Sequence, residues 1–423
     1  MKLPLYVKIL IGMVLGLILS ILATTFKFEG FVLDWIKPLG VVFMRLLKFI
    51  AIPLVFISLI KGVINLSNIK SLSSIGLRTI IIYMCTTVVA ILLGFVLVQT
   101  LAPGKLIGAD TANELRSGYS DGEQIILNAD RGGVGPLQTV IDIFPENMAQ
   151  AFSSNNNMLQ VIFIALLFGV ALLLIGEKRA KPVSDLIDSI DALLLKVVDF
   201  IMMYAPIGVF GLISTVVIDS AGDMSILSAL GYYALVVIIG LLALIFGFYP
   251  LLIKLFTKTP VGHYLKSIVP VQLLAFSTSS SAATLPLTMD VAVKKLGISQ
   301  KIASFVLPVG VTINMDGSSC YQMIAAVFIA QVLGIELSVA DIALLVGLTT
   351  LSSIGTPGIP GGSIVVQVMV LTTLGIPAEG LALILGIDRP LDMIRTAVNV
   401  TGDLAVASIV QTSENKKENI LEK

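Results

Sequence analysis

The chain has 423 residues, of which 56% are hydrophobic and only 13% are charged. Soluble domains carry about a quarter charged residues, so this composition excludes a soluble globular protein and is typical of one that crosses a membrane several times. The 27 Lys and Arg residues balance the 27 Asp and Glu residues, so the net charge gives no indication of a nucleic-acid partner. The spacing of the two cysteines predicts neither a disulfide framework nor a metal motif.

Six hydrophobic segments of membrane-spanning length precede the most polar helices of the chain. The first is interpreted as a spanning helix because it lacks a clean signal-peptide cleavage site. Several segments exceed the roughly 20 residues that a straight span needs, so tilted or broken helices are expected. Residues 105–157 are interpreted mostly as an external loop before the fourth helix. The predicted segments are residues 5–25, 38–66, 76–102, 137–176, 184–218 and 226–256.

The distribution of Lys and Arg predicts the orientation of these helices, because cytoplasmic loops carry an excess of both residues. The basic and acidic connections alternate, which fits six helices with the N-terminus in the cytoplasm. After the sixth helix the pattern changes: residues 259–300 begin and end on the basic side, whereas residues 335–380 begin and end on the acidic side. Each of these two stretches is therefore expected to enter the membrane and return.

Both stretches contain a helix-breaking tip, residues 277–286 (STSSSAATLP) and residues 352–363 (SSIGTPGIPGGS). Non-helical backbone at membrane depth is tolerated only where it is buried in protein or lines a cavity. Each tip is followed by a helix that bears polar residues, so the two halves form a predicted inverted repeat. Such paired interruptions indicate a transporter binding site between the halves.

The last of these helices, residues 381–403, carries a polar stripe on an apolar background. Asp388, Asp392, Arg395, Asn399 and Asp403 fall within an arc of roughly 80° at 3.6 residues per turn. Each charged residue at the bilayer centre costs about 2.5–3.5 kcal/mol unless it pairs, faces water or binds a ligand. A charge network that only joins helices is one interpretation; the interleaved Asn and Thr favour a substrate or ion site.

A second polar group lies on the preceding helix, where Asn314, Asp316 and Ser318 are each two residues apart. On a regular helix they point to different sides, so they converge only if the helix is unwound, which Gly317 permits. Carbonyl and carboxylate oxygens on unwound backbone are suited to a hard cation. The alternative interpretation is a kinked core helix.

Four motifs in this order resemble the dicarboxylate/amino acid:cation symporters, a family that includes sodium-coupled glutamate and aspartate transporters. The resemblance covers essentially the whole chain, and residues 204–210 (YAPIGVF), 45–48 (RLLK) and 53–56 (PLVF) support it. The four motifs are residues 279–286 (SSSAATLP), 314–317 (NMDG), 355–361 (GTPGIPG) and 392–403 (DMIRTAVNVTGD).

The resemblance implies an all-α polytopic membrane protein with eight transmembrane helices and two re-entrant helical hairpins in inverted repeats. It also implies a homotrimer in the cell inner (plasma) membrane, with both termini cytoplasmic and an elevator mechanism that carries substrate across the bilayer. The implied parts are scaffold helices one and two (1–75), the third helix of the transport domain (76–104), the external loop with scaffold helices four and five (105–225), the remaining transport domain (226–412) and a cytoplasmic tail (413–423).

The family's substrate site carries over onto matching positions of this chain. Asp392 is expected to bind the α-ammonium group, Arg395 the side-chain carboxylate through its bidentate fork, and Asn399 with Ser281 the α-carboxylate. The whole set of implied substrate residues is Ser280, Ser281, Ser318, Gly358, Ile359, Gly361, Asp392, Arg395, Thr396 and Asn399.

Three cation sites carry over in the same way, all with oxygen-bearing residues, which favours Na⁺ as the co-transported ion. The first matches Gly310, Asn314, Asn399 and Asp403. The second matches Tyr83, Thr86, Thr87, Asn314 and Asp316. The third matches Thr312, Ser353, Ile354 and Thr356.

The chain lacks the basic residues that support the substrate site in other members of the family. Relatives carry a basic residue either at the first tip, where this chain has Ser279, or near the substrate arginine, where it has Met393. Arg389 is expected to supply that charge from another direction. Gln322 replaces the Glu of animal glutamate transporters, and because Gln does not titrate, no proton is expected to be carried there.

The sequence therefore predicts a symporter that imports aspartate or glutamate with Na⁺, and no enzyme. A proton- or sodium-coupled C4-dicarboxylate or cystine carrier is the alternative within the class, although Asp392 requires an ammonium partner. A passive ion channel is a further alternative, which a conductance without accumulation of substrate would indicate. An intramembrane protease is disfavoured because the single histidine has no partner motif.

Overall fold

The computed structural model describes residues 5–65, 73–108, 141, 143–154, 157–219, 225–355 and 361–421. Within these ranges the secondary structure is helical and contains no β-strand. The predicted all-α class is therefore confirmed. Fourteen helices longer than one turn are labelled here in chain order: α1 Leu5–Phe26, α2 Lys37–Asn65, α3 Ser73–Leu101, α4 Met158–Leu174, α5 Glu177–Asp219, α6 Ser225–Ala243, α7 Tyr249–Phe256, α8 Val261–Thr278, α9 Ser281–Lys294, α10 Gln300–Ile313, α11 Asp316–Val332, α12 Val339–Gly355, α13 Gly362–Thr373 and α14 Ala382–Leu421.

Six helical segments in these ranges are long and apolar enough to cross a membrane, as expected for a multi-pass membrane protein. Two of them include a π-helical turn: Val32–Ile36 leads into α2, and Leu244–Phe248 joins α6 to α7. The last segment differs from the others because 89% of its apolar 18-residue stretch is buried inside the protein, compared with 28% in the first segment. The helix with the polar stripe therefore lies at the centre of the molecule.

The predicted spans agree with the observed helices to within a few residues, except that α5 begins at Glu177 rather than at residue 184 and that the fourth span differs more. Its predicted range, 137–176, contains α4 only from Met158, preceded by a single turn at Met148–Ala151. Asn147 caps that turn by accepting a hydrogen bond from the amide of Ala149, so the polar residues before α4 form a separate element. Residues 109–140, most of the predicted external loop, lie outside the described part of the chain.

Two groups of helices follow from the packing. In the first group, α1, α2 and α4 pack with α5 or with each other. The contact between α2 and α5 is close, because a Cβ atom on Gly40 would lie 2.7 Å from the backbone nitrogen of Leu212. In the second group, α11 packs on α14, and α3, α6 to α10, α12 and α13 each contact one or both of these two helices. The groups meet where α2 contacts α12 and α13 and where α14 contacts α1 and α5.

The backbone breaks within both predicted tips. Between α8 and α9, Ser279 adopts a left-handed conformation (φ 49°), and Ser280 caps α9 by accepting a hydrogen bond from the Ala283 amide. The predicted first tip was too long, because this cap starts a new helix at Ser281 and places Pro286 inside it. The second tip separates α12 from α13, and residues 356–360 within it lie outside the described ranges.

Candidate functional site

The site is built around Arg395, which is completely buried in α14. Its Nη2 atom donates a hydrogen bond of 2.9 Å to Oδ1 of Asp392, and its Nη1 atom lies 3.0 Å from Oδ1 of Asp388. Nε and Nη1 make no hydrogen bond among the described residues, and the contact with Asp388 is an ion pair only. Unpaired donors at this depth are costly, so they are well suited to a bound carboxylate.

Arg389 contributes a second positive charge to the same carboxylate. Its Nη1 atom lies 3.0 Å from Oδ2 of Asp392, so both oxygen atoms of Asp392 contact an arginine. The four side chains Asp388, Arg389, Asp392 and Arg395 together carry no net formal charge. Arg389 therefore lies beside Asp392, and its replacement of the charge that Ser279 and Met393 do not carry stays a prediction.

Tyr321 supports the arginine from the adjacent helix α11. The guanidinium carbon of Arg395 lies 3.8 Å from the centre of the Tyr321 ring, which is a cation–π contact. Burial of both side chains removes water, which strengthens that contact. Tyr321 and Asp388 belong to the site although the resemblance assigned no ligand role to either.

The remaining polar groups of the stripe contact protein atoms. The hydroxyl of Thr396 donates to the backbone oxygen of Asp392 at 2.8 Å, within its own helix. The Oδ1 atom of Asn399 accepts a hydrogen bond of 2.9 Å from the amide of Gly317, and its Nδ2 atom lies 3.3 Å from Sδ of Met315. Asn399 therefore joins α14 to the start of α11.

The other expected substrate residues lie on three helix ends around α14. Ser280 and Ser281 are buried at the start of α9, which packs against α14. Ser318, in the first turns of α11, accepts a hydrogen bond of 3.3 Å from Ser363 of α13. Gly361 precedes α13 with φ of 81°, a conformation that favours glycine, and lies against Met202 of α5. Gly358 and Ile359 lie outside the described residues.

The helix break between α10 and α11 occurs at Asn314 and Met315, which have non-helical backbone angles. An unwound segment is therefore present, but the prediction that Gly317 permits it was wrong. Gly317 lies inside α11, where a Cβ atom would stand 2.6 Å from the backbone oxygen of Arg395. Its absence of a side chain allows α11 to approach α14, which places Tyr321 beside Arg395.

Two buried aspartates lie next to this break: Asp316 follows it in α11, and Asp403 of α14 contacts Asn314. Asp316 accepts hydrogen bonds from the hydroxyls of Thr87 at 2.7 Å and Tyr249 at 2.9 Å. Asp403 accepts one of 2.8 Å from Nδ2 of Asn314, whose Oδ1 atom is buried without a partner among the described residues. Tyr249, on α7, was not predicted; a single tyrosine in an apolar helix gives no sequence signal.

Gly310, Tyr83 and Asp403 meet at the same place. A Cβ atom on Gly310 would collide with Oδ1 of Asp403 and would lie 2.5 Å from the hydroxyl of Tyr83. The backbone of α10 is therefore exposed directly to the carboxylate. Tyr83 itself donates to the backbone oxygen of Val306 at 3.1 Å, and Thr86 to the backbone oxygen of Tyr83 at 3.0 Å.

The third expected cation set is only partly assembled. The hydroxyls of Thr312 and Ser353 donate to backbone oxygens of their own helices, α10 and α12, which pack together. The backbone oxygen of Ile354 faces Gly62 of α2, where a Cβ atom would be 2.8 Å away. Thr356 lies outside the described residues, so this set has no closed geometry.

The arrangement combines two chemistries within one buried centre. Arg395 and Asp392 place opposite charges next to each other, an arrangement suited to a ligand with both a carboxylate and an ammonium group. Asp316 and Asp403 present negative charge together with neutral hydroxyl, amide and backbone oxygens, a donor set typical of hard monovalent cations. In the described part of the chain, no cluster of three or more His, Cys, Asp or Glu side chains is placed to hold a metal ion.

Comparisons with known proteins agree with this arrangement. The model of the sodium:dicarboxylate symporter family matches residues 5–413. A proton/sodium-glutamate symport protein of Bacillus caldotenax is 36% identical over 98% of this chain and 96% of its own length. The proton/glutamate-aspartate symporter of Escherichia coli is 33% identical over 97% of this chain and 92% of its own length. The excitatory amino acid transporter 3 of mouse is 33% identical over 89% of this chain and 79% of its own length.

Proposed function

The chain belongs to the sodium:dicarboxylate symporter family, and from this premise we propose that it imports aspartate or glutamate together with Na⁺. It is a cation-coupled symporter of acidic amino acids, since relatives of nearly equal length are named as glutamate and aspartate symporters. No catalytic activity is assigned, because the family is one of transporters.

The observation that carries this proposal is the buried Arg395, whose Nε atom makes no hydrogen bond among the described residues and whose Nη1 atom has only the ion pair with Asp388. An acidic amino acid carries one carboxylate more than a neutral one, and Arg395 lies on α14 where this group is expected. Asp392, one turn away, is expected to receive the α-ammonium group. Arg389 then balances the charge of Asp392 and allows an anionic substrate to enter a region that also contains Asp388.

Sodium is proposed as the coupling ion because the oxygen groups around Asp316 and Asp403 do not need to titrate. Thr87, Tyr249 and Asn314 surround the two carboxylates with neutral groups. The free Oδ1 of Asn314 is available as a further ligand. Several relatives are named as proton/sodium symport proteins, so the proton is the competing ion.

The test is uptake into proteoliposomes that contain the purified protein. Labelled aspartate, glutamate, succinate and cystine are offered with an inward Na⁺ gradient, with a proton gradient in choline, or with neither. Aspartate or glutamate accumulation that requires Na⁺ supports the proposal. Uptake of succinate or cystine in preference to both amino acids would instead favour the alternative carrier, and conductance without accumulation would favour a channel.

Proton coupling can be tested at Gln322, which is buried in α11 and whose Nε2 atom makes no hydrogen bond among the described residues. We expect no substrate-dependent proton influx through this position, because an amide does not titrate. The variant Gln322→Glu is expected to carry about one proton per substrate, since a carboxylate there can bind and release it. Intraliposomal pH is measured during uptake, and robust proton influx with the unmodified protein would contradict the expectation.

The architecture proposed for the chain is eight transmembrane helices and two re-entrant hairpins, α8–α9 and α12–α13, in an inner (plasma) membrane with both termini cytoplasmic. The first packing group then forms the scaffold, residues 1–75 and 105–225, which is proposed to trimerise. The second group forms the transport domain, residues 76–104 and 226–412. The separation of contacts into these groups supports the division.

The elevator mechanism is supported by an ion pair between the two groups. Nζ of Lys48 in α2 lies 2.8 Å from Oε1 of Glu379, in the turn Ala378–Leu381 that precedes α14. Lys48 lies about 16 Å along α2 from Lys37, at 1.5 Å per residue. In the proposed orientation this turn belongs to the external end of the transport domain. In the same orientation α2 begins at the external side with Lys37 and runs toward the cytoplasm. A contact between this turn and Lys48 therefore corresponds to a transport domain displaced toward the cytoplasm.

Cross-linking across this contact tests the displacement. In a background with Cys85 and Cys320 replaced by Ala, the pair Lys48→Cys with Glu379→Cys is expected to be joined by Hg²⁺. Uptake should then fall nearly to background and recover on reduction, because the transport domain can no longer move along α2. The control pair Lys196→Cys with Asp199→Cys lies within α5 and should leave uptake unchanged. Full uptake by the cross-linked Lys48 and Glu379 pair would exclude this movement.

A further inference from the structure

The facing surfaces of α11 and α13 carry two matched polar contacts within otherwise apolar packing. Ser363 donates a hydrogen bond of 3.3 Å to the hydroxyl oxygen of Ser318. One turn further along both helices, Nε2 of Gln367 donates one of 3.4 Å to the backbone oxygen of Gln322. Each contact joins residues 45 positions apart in the chain. We call these four residues the α11–α13 ladder.

Stability does not account for the ladder. All four side chains are buried, yet Nε2 of Gln322 and Oε1 of Gln367 have no hydrogen-bond partner among the described residues. A buried polar atom without a partner costs roughly 1–3 kcal/mol, and apolar residues at the same positions would avoid that cost. The three residues between Ser363 and Gln367 on α13 are Ile and two Val, and Val368 follows, so Gln367 interrupts a hydrophobic segment.

The direction of the first hydrogen bond indicates what the ladder does. A hydroxyl has one hydrogen to donate and two lone pairs that accept. Because Ser363 donates its hydrogen to Ser318, the oxygen of Ser318 acts as the acceptor and its own hydrogen remains available. No other hydrogen bond of the Ser318 hydroxyl lies within the described part of the structure. Ser318 is thereby held as a donor.

We propose that Ser363 is a positioning residue that selects for an anionic substrate by holding Ser318 as a hydrogen-bond donor. The inference rests on the proposed function, in which Ser318 contacts the substrate. A carboxylate group only accepts hydrogen bonds, whereas an amide both donates and accepts. A fixed donor therefore favours the acidic amino acid over its amide. The contact between Gln367 and Gln322 keeps α13 in the register that places Ser363 opposite Ser318.

The test compares variants of Ser363 for the binding of aspartate and of asparagine. Ser363→Ala is expected to weaken aspartate binding about 10-fold, because a hydrogen bond to a charged group is lost or misdirected. Asparagine binding should change much less, so the selectivity ratio falls. Ser363→Thr retains the hydroxyl and should restore the ratio. The matched control is Thr373→Ala on the same helix, whose hydroxyl contacts the backbone oxygen of Met369.

The outcomes separate this inference from the proposed function. If the unmodified protein accumulates aspartate and Ser363→Ala leaves the ratio of aspartate to asparagine affinity unchanged, the ladder has no role in selectivity and the inference is wrong. An equal loss of both affinities also overturns it, because that is the result of simple misfolding. If the unmodified protein takes up no acidic amino acid at all, the proposed function fails, and the inference fails with it.

Discussion

Replacing Arg395 with cysteine is expected to abolish the binding of aspartate and glutamate. Arg395 is fully buried, stacks on Tyr321 and has two nitrogen atoms without a hydrogen-bond partner among the described residues. A carboxylate bound there gains charge-assisted hydrogen bonds, and their loss in a buried site weakens affinity on the order of 100-fold or more. Binding of labelled aspartate to the purified variant in Na⁺ measures the effect.

The Arg395→Cys variant is also expected to gain binding of a different ligand, and this gain would show that the protein is still folded. Arg389 remains in contact with Asp392, so the pair that receives the ammonium group is retained. A small neutral amino acid such as serine should therefore bind to Arg395→Cys in the presence of Na⁺. Lys196→Cys, at an exposed ion pair on α5, is the matched control and should bind aspartate normally.

Two results would contradict the assignment of Arg395. Undiminished aspartate affinity in a folded Arg395→Cys protein would mean that the second carboxylate binds elsewhere. Equal affinity of the unmodified protein for serine and aspartate would mean that the arginine does not select a charged side chain. The thermal transition of each variant in detergent shows whether burial of the unpaired Asp388 has destabilised the fold.

Neutralising either buried aspartate of the proposed cation sites is expected to have the second largest effect. Asp316→Asn and Asp403→Asn each remove a formal negative charge from a region that contains no neighbouring cationic hydrogen-bond partner in the described structure. The Na⁺ concentration for half-maximal aspartate binding should rise about 10-fold or more, since charged and neutral ligands differ by at least 1.4 kcal/mol in such a site. In Asp316→Asn the amide also places a donor opposite the hydroxyls of Thr87 and Tyr249.

Aspartate affinity at a fixed Na⁺ concentration should fall in parallel, because ion and substrate stabilise the same state and their coupling is reciprocal. The matched control is Asp290→Asn, whose partner is the exposed Lys294 on the same helix. The measurement is aspartate binding over a range of Na⁺ concentrations. An unchanged Na⁺ dependence in both variants would remove the two aspartates from the cation sites, and uptake that runs equally well in choline with a proton gradient would exclude Na⁺ as the obligatory ion.

The position of the ladder illustrates what could have been predicted and was not. Ser363 and Gln367 are four residues apart in an apolar helix, with the same spacing as Ser318 and Gln322. Residues i and i+4 lie on the same face of a helix, so each of the two pairs could have been predicted from the sequence to form a polar face. The contact between the two faces could not be predicted, because the local sequence of a helix does not specify which other helix it packs against.

The amino-acid sequence by itself determined the membrane class, the approximate bounds of most helices, the helix break near Asn314 and the polar face of α14. These properties depend on hydrophobicity, periodicity and residue type over short distances, and local chemistry fixes them. Charges buried in a membrane also require partners or a ligand, so the sequence predicted that the stripe containing Arg395 either joins helices or forms a substrate or ion site.

Only the tertiary structure decided which groups meet. Tyr321 lies beneath Arg395 because α14 and α11 approach closely at Gly317. Tyr249 reaches Asp316 because α7 and α11 both pack on α14, and the sequence does not distinguish Tyr249 from the other tyrosines. Contacts between residues far apart in the chain depend on the packing of whole helices, and the free energy of that packing is distributed over many side chains rather than recorded in any one motif.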